Sequence, residues 1–150
     1  MFRGRYEHAI DGKGRTSLPS RFREVLAGLG DMRVVITTGL DPCLVAYPLK
    51  EWQAFEERLA KLPQFDASVM TLRRIYVSGA VDVEIDKLGR VLIPPTLRKH
   101  ASLSRELLWA GMGNHIELWD RERFENRCNE VLLDPEMRQA VAARVAELGL

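Results

Sequence analysis

Cysteine is scarce: Cys43 and Cys128 are the only two in 150 residues, too few for a disulfide framework and without the C-x-x-C spacing of a zinc site. They read as reduced packing thiols. The three histidines, His8, His100 and His115, show no metal-ligand spacing. No G-x-S-x-G elbow and no Walker lysine occur, so acyl transfer and nucleotide hydrolysis have no carrier. No enzyme activity, cofactor, metal or small-molecule substrate is therefore expected. No apolar run approaches the length of a membrane span. The start, MFRGRYEHAID, lacks the apolar stretch of a signal peptide, so a cytoplasmic location with no membrane partner is expected. Excess charge is lacking too: 22 Lys or Arg stand against 21 Asp or Glu, a net +1.

That balance conceals a segregation. Residues 1–23 hold six cations (Arg3, Arg5, Lys13, Arg15, Arg21, Arg23) against Glu7 and Asp11, a net +4. Residues 86–105 hold five (Lys87, Arg90, Arg98, Lys99, Arg105) against Asp86, again +4, which leaves −7 for the rest. Clustered sign, more than net sign, makes the field that attracts phosphate.

Both basic segments carry the same words. IDGKGRTSLPSRFREVL begins at Ile10 and IDKLGRVLIPPTLRKHA at Ile85, an offset of 75. Ile10, Asp11, Gly14, Arg15, Pro19 and Arg23 thus face Ile85, Asp86, Gly89, Arg90, Pro94 and Arg98. Such self-similarity points to an internal duplication. In each copy Asp at the first position and Gly at the fourth suit a type I turn, whose Gly enters the next strand at positive φ. Each copy reads as a hairpin (Tyr6–Ile10 with Arg15–Leu18; Val81–Ile85 with Arg90–Ile93). A proline then starts a short helix, Pro19 or Pro94.

Two strands follow in each copy, RVVIT (33–37) and LVAY (44–47) against ELLWAG (106–111) and HIELW (115–119). A helix closes each, over 48–62 and 120–133. FDASVMTLRRIYVSG (65–79) reads as a helical linker with Asp66 at its N-cap. DPEMRQAVAARVAEL (134–148) opens with Asp at N-cap and Pro at N1, a strong helix start. Its stripe Val141, Val145, Leu148 either covers the core or meets a neighbouring subunit. The expected division is a first unit over 1–62, a linker helix over 63–79, a second unit over 80–133 and a C-terminal helix over 134–150. A lone hairpin unit has little core, but two can share one about a pseudo-two-fold axis, so one duplicated chain replaces a homodimer.

Arg15 and Arg90 are the site candidates. Each guanidinium offers a planar fork suited to phosphate and to the O6/N7 edge of guanine. Asp11 and Asp86 either tie their own hairpins to these arginines or leave them facing out, and both roles hold together. Arg3, Arg5, Lys13, Lys87, Arg23 and Arg98 are candidates for backbone contacts. Trp52, Trp109 and Trp119 sit on apolar faces and read as core. His8 reads as a solvent-facing strand histidine.

MFRG at the start, D-x-K-G-R-x-x-x-P-x-x-x-R, then D-x-x-G-R-x-x-I-P-x-x-L-R-x-H-A and IELWD resemble the bacterial MraZ proteins, from Met1 to about Phe124. The resemblance implies an α+β fold, a duplicated swapped-hairpin β-barrel of two SpoVT-AbrB-like units with flanking helices. It implies a nucleoid-associated, sequence-specific DNA-binding transcriptional regulator of the division and cell wall gene cluster, its own promoter included. It further implies ring-shaped homo-oligomers that set many loops along promoter repeats in double-stranded DNA. It assigns DNA contact to Asp11 and Arg15 and to Asp86 and Arg90. Gly12 makes the first loop loose, while Lys87 and Leu88 make the second more apolar. The first copy is therefore expected to read bases, and the second to support it or pack the oligomer. The rival reading is an oligomeric scaffold without DNA.

Overall fold

A computed structural model describes residues 1–150. Met1–Asp120 forms one compact unit and Arg121–Leu150 another. The first unit contains every strand: β1 (Arg5–Ala9), β2 (Arg15–Ser17), β3 (Val34–Thr38), β4 (Leu44–Pro48), β5 (Val81–Val83), β6 (Arg90–Leu92), β7 (Glu106–Gly111) and β8 (Ile116–Asp120). It also holds helices α1 (Ser20–Leu29), α2 (Leu49–Ala60), α3 (Ala67–Leu72) and α4 (Pro95–His100). The second unit is α5 (Arg121–Leu133) and α6 (Pro135–Glu147). Asp134 caps α6 by accepting from the Glu136 N–H, as its sequence signature requires, and the stripe Val141, Val145, Leu148 stays exposed.

The architecture is mixed α+β with antiparallel pairing throughout. A six-stranded sheet runs β1-β7-β8-β4-β3-β5, and β2 pairs β6 in a separate two-stranded ribbon. This differs from two local hairpins. The tight turns form, but their arms part. Between the arms of the first copy only Ile10 and Thr16 are bridged. β1 instead lies along β7, with Tyr6 opposite Trp109, and β5 lies along β3, with Val83 opposite Val34. The reason is burial: β1 and β5 each gain a full-length apolar partner, which a three-residue return arm cannot offer. Exchanging the two copies maps the strand order onto itself, with β4 and β8 meeting at the centre (Leu44 opposite Leu118). The sheet keeps two edges, β1 and β5, and does not close on itself.

Both faces of the sheet are covered. One set of alternating residues, Val34, Ile36, Leu44, Ala46, Leu107, Trp109, Ile116 and Leu118, packs with Phe22 and Leu26 of α1, Leu97 of α4 and the ribbon's Val91. Phe22 takes Phe2 and Tyr6 edge-to-face at centroid distances of 5.5 and 5.2 Å, a preferred aromatic geometry. The alternate set includes Val35, Val45, Leu108 and Trp119, also buried. A strand buried on both faces reads as a continuous apolar run, which explains RVVIT and ELLWAG. Trp52, Trp109 and Trp119 are all buried, as expected of core residues.

The linker is more specialised than one helix. Asp66 caps α3 by accepting from the N–H groups of Ser68 and Val69. α3 then widens into a π-helical turn, Arg73–Val77. The carbonyls of Ile75 and Tyr76, at its C-terminal end, have no helical donors left. The Thr38 and Thr37 hydroxyls of β3 donate to them.

Candidate nucleic-acid interface

In the loop Asp11–Arg15, Asp11 N–H donates to the Arg15 carbonyl at 3.0 Å and Gly14 N–H to the Asp11 carbonyl at 3.0 Å. Asp11 Oδ1 accepts from the backbone N–H of Lys13 and of Arg15, both at 2.9 Å, and Oδ2 from Arg15 Nε at 2.8 Å. The loop Asp86–Arg90 repeats this: Asp86 Oδ1 accepts from Leu88 and Arg90 N–H at 2.9 Å, and Oδ2 from Arg90 Nε at 3.0 Å. The backbone N–H of the following arginine, with its guanidinium behind it, holds each carboxyl below the usual carboxylate range. The fork is thereby fixed by Nε, while the terminal nitrogens of Arg15 and Arg90 make no hydrogen bond within the chain. Tying and outward presentation coexist.

The loops also hold each other. Leu18 N–H donates to the Gly89 carbonyl at 2.9 Å, and Ile93 N–H to the Gly14 carbonyl at 2.8 Å. In the ribbon Arg15 faces Leu92 and Ser17 faces Arg90. Cross-strand pairs share a face, so Arg15, Ser17, Arg90 and Leu92 point outward while Thr16 and Val91 are buried. Arg15 and Arg90 are then diagonal neighbours, roughly 7–8 Å apart at the backbone. Their side chains are 37% and 34% exposed, a near equality that reflects the pseudo-symmetry.

Two buried glycines make the approach possible. Gly14 and Gly89 have φ of 86° and 76°, the left-handed region. The arginine of the opposite copy packs over each. A Cβ on Gly89 would meet Arg23 Nη1 at 2.5 Å, and one on Gly14 would meet Arg98 Cζ at 3.0 Å. Arg23 and Arg98 are thus the undersides of the loops, a role their spacing did not announce. Arg23 Nε donates to the Leu18 carbonyl at 3.2 Å.

The structure brings Asp11, Lys13, Arg15, Asp86, Lys87 and Arg90 to one surface. Lys13 and Lys87 are exposed on the loops, as is Leu88, which is 70% exposed. Arg3 and Arg5 are not brought there: Arg5 opens β1, roughly 20 Å of extended chain from Asp11. Arg3 lines a groove with Tyr6, Arg21 and Phe22 instead. His8 is half-buried rather than solvent-facing, and burial, then the charge of Arg23, pushes its imidazole pKa down. The outward positions of Ser17 and Leu92 went unread in the sequence, because they follow from β2 pairing β6, a choice that no local pattern encodes.

A family model described as "MraZ protein, putative antitoxin-like" matches residues 1–75 and again 76–145. The two matches start 75 residues apart, the spacing of the loops. A protein named Transcriptional regulator MraZ from Acetivibrio thermocellus is 40% identical over 150 residues, covering all of both chains. Proteins of that name from Lachnoclostridium phytofermentans and Pelotomaculum thermopropionicum are each 41% identical, over all of this chain and 99% of theirs.

Proposed function

The chain belongs to the MraZ family, and on that premise we propose that it is a non-enzymatic, DNA-binding transcriptional regulator. One observation carries this reading: two D-x-x-G-R loops, locked by reciprocal hydrogen bonds, fix Arg15 and Arg90 on the same outward face of a two-stranded ribbon. A major groove admits such a ribbon. Arg15 contacts base edges with Arg90 in support, Lys13 and Lys87 reach the flanking phosphates, and Asp11 and Asp86 hold the forks in place. Arg3 and Arg5 fall outside this footprint. No helix is long and apolar enough to cross a membrane. The proposed location is the cytoplasm, at the nucleoid.

The targets proposed are promoter repeats of the division and cell wall genes, including the promoter of this protein's own gene. A single ribbon makes few contacts and binds weakly and salt-sensitively. A ring of subunits on repeated boxes raises affinity through effective concentration. The palindromic strand order supports the swapped-hairpin reading of the fold, in which 1–62 and 80–133 are the exchanged units, 63–79 joins them and 134–150 follows.

A mobility-shift titration with DNA from upstream of the gene, at two salt concentrations, tests the reading. Wild type should give sequence-selective shifts that weaken as salt rises. Arg15→Ala should lose selective binding with its oligomer intact. A variant that binds normally removes Arg15 from the site. Absence of any shift for wild type leaves an oligomeric scaffold.

A further inference from the structure

A groove of ≈ 560 Å³ lies beside the first loop, lined by Ile10, Asp11, Gly12, Arg98, Leu103, Ser104 and Arg105. Its acids and hydroxyls are committed. Both Asp11 oxygens accept from the turn and from Arg15, and the Ser104 hydroxyl donates to Asp120. Its arginines are not. Arg98 Nε is shielded from solvent and has no acceptor, whereas its counterpart Arg23 Nε donates to Leu18. Arg105 is exposed and forms no ion pair, and its carbonyl accepts from Ile10 N–H at 3.0 Å, which ties it to the base of the loop. Nε is closed off beneath Gly14, but the terminal nitrogens of Arg98 make no hydrogen bond or ion pair within the chain, and a second unpaired guanidinium on the same groove makes an anion the natural missing partner.

We propose that this groove is a subsite for a DNA-backbone phosphodiester, held by Arg98 and Arg105 while the adjacent Arg15 reads the base edges. The proposal rests on the DNA-binding reading above. It also makes the two loops unequal. Arg105 stands immediately before β7, and Arg33 stands immediately before β3. Arg33 is taken up by Asp31, through Nε at 3.0 Å and Nη2 at 2.8 Å, so the second loop has Arg23 beneath it but no free counterpart of Arg105. The clamp serves the first loop alone and gives each chain a direction on the duplex.

Arg98 packs under Gly14, so its loss risks the loop; exposed Arg105 carries the test. Affinity of the full-length protein is measured against salt for promoter and unrelated duplexes, with wild type, Arg105→Ala, Arg105→Lys and Arg15→Ala. Arg105→Ala should lower the slope of log K on log salt by about one and weaken both duplexes alike, by about fivefold near 0.15 M salt. Arg105→Lys should keep the wild-type slope. Neutral methylphosphonates placed singly along the promoter should include one that weakens wild type and leaves Arg105→Ala unaffected. An unchanged slope in Arg105→Ala overturns the subsite while leaving DNA binding standing. So does a loss confined to the promoter, since that marks a base contact. If wild type binds neither duplex, the DNA reading itself fails.

Discussion

Gly14 and Gly89 turn a sequence motif into a surface. Each lets the backbone turn through the left-handed region, and each leaves room for the arginine of the opposite copy. Gly89→Ala brings strained φ together with a contact of 2.5 Å to Arg23. It should cost about 2 kcal/mol in urea unfolding, and displace the Arg23 guanidinium. Gly12 has nothing within 4 Å of its missing Cβ and no positive φ. Gly12→Ala should stay within about 0.5 kcal/mol of wild type in the same assay. The aspartates add a pH signature. Their pKa values are lowered on folding, so the stability they contribute is complete above the ordinary carboxylate value of about 3.9 and drains away as pH falls through the lower folded values. Asp11→Asn with Asp86→Asn should flatten the acid fall of the urea midpoint below about pH 4. A double variant that keeps the wild-type acid profile would assign that fall to other carboxylates.

At the scale of elements, the chain uses β3 as a platform for the linker. The π-helical turn Arg73–Val77 ends in carbonyls whose donors come from Thr37 and Thr38. Thr37→Val keeps the shape of a buried side chain and removes the donor. The Tyr76 carbonyl is then stranded, at a cost of about 1–3 kcal/mol in thermal or urea unfolding. Asp66→Ala removes the α3 cap and should cost about 1 kcal/mol. These elements also show what the sequence could tell. The caps at Asp66 and Asp134 and the strands β3, β4, β7 and β8 stand where local signals put them, because a cap or a doubly buried strand is written in adjacent residues. The D-x-x-G-R turns were legible for the same reason. Which strand each arm would choose was not. A turn fixes the direction of the chain for four residues, whereas the partner of β1 depends on the apolar length of β7, a hundred residues on. The clamp by Arg23 and Arg98 and the π turn were hidden likewise, since both depend on residues far apart in the chain.

For the whole molecule, the duplication produces interdependence rather than two domains. Every copy lends a strand to the other, β1 to β7 and β5 to β3. Polypeptides 1–75 and 76–150, made separately, should each lack cooperative unfolding by circular dichroism. Mixed, they should recover a cooperative transition whose midpoint depends on concentration. A half that melts cooperatively alone would show a self-sufficient unit. The same interlock explains how a chain of net charge +1 presents a basic surface: both loops are drawn to one ribbon, and the acidic balance lies elsewhere in the chain.

The pairing of Arg5 with Ala110 also sets a timetable for biosynthesis. The first strand leaves the ribosome with no partner and stays unpaired while the next hundred residues are made. At about 5–20 residues per second that delay lasts roughly 5–20 s. The segment that waits is RYEHA, flanked by Arg3, whose charges discourage edge-to-edge association of nascent chains. The basic N-terminus therefore has a use before the protein has folded, as the guard of a strand whose place is built last.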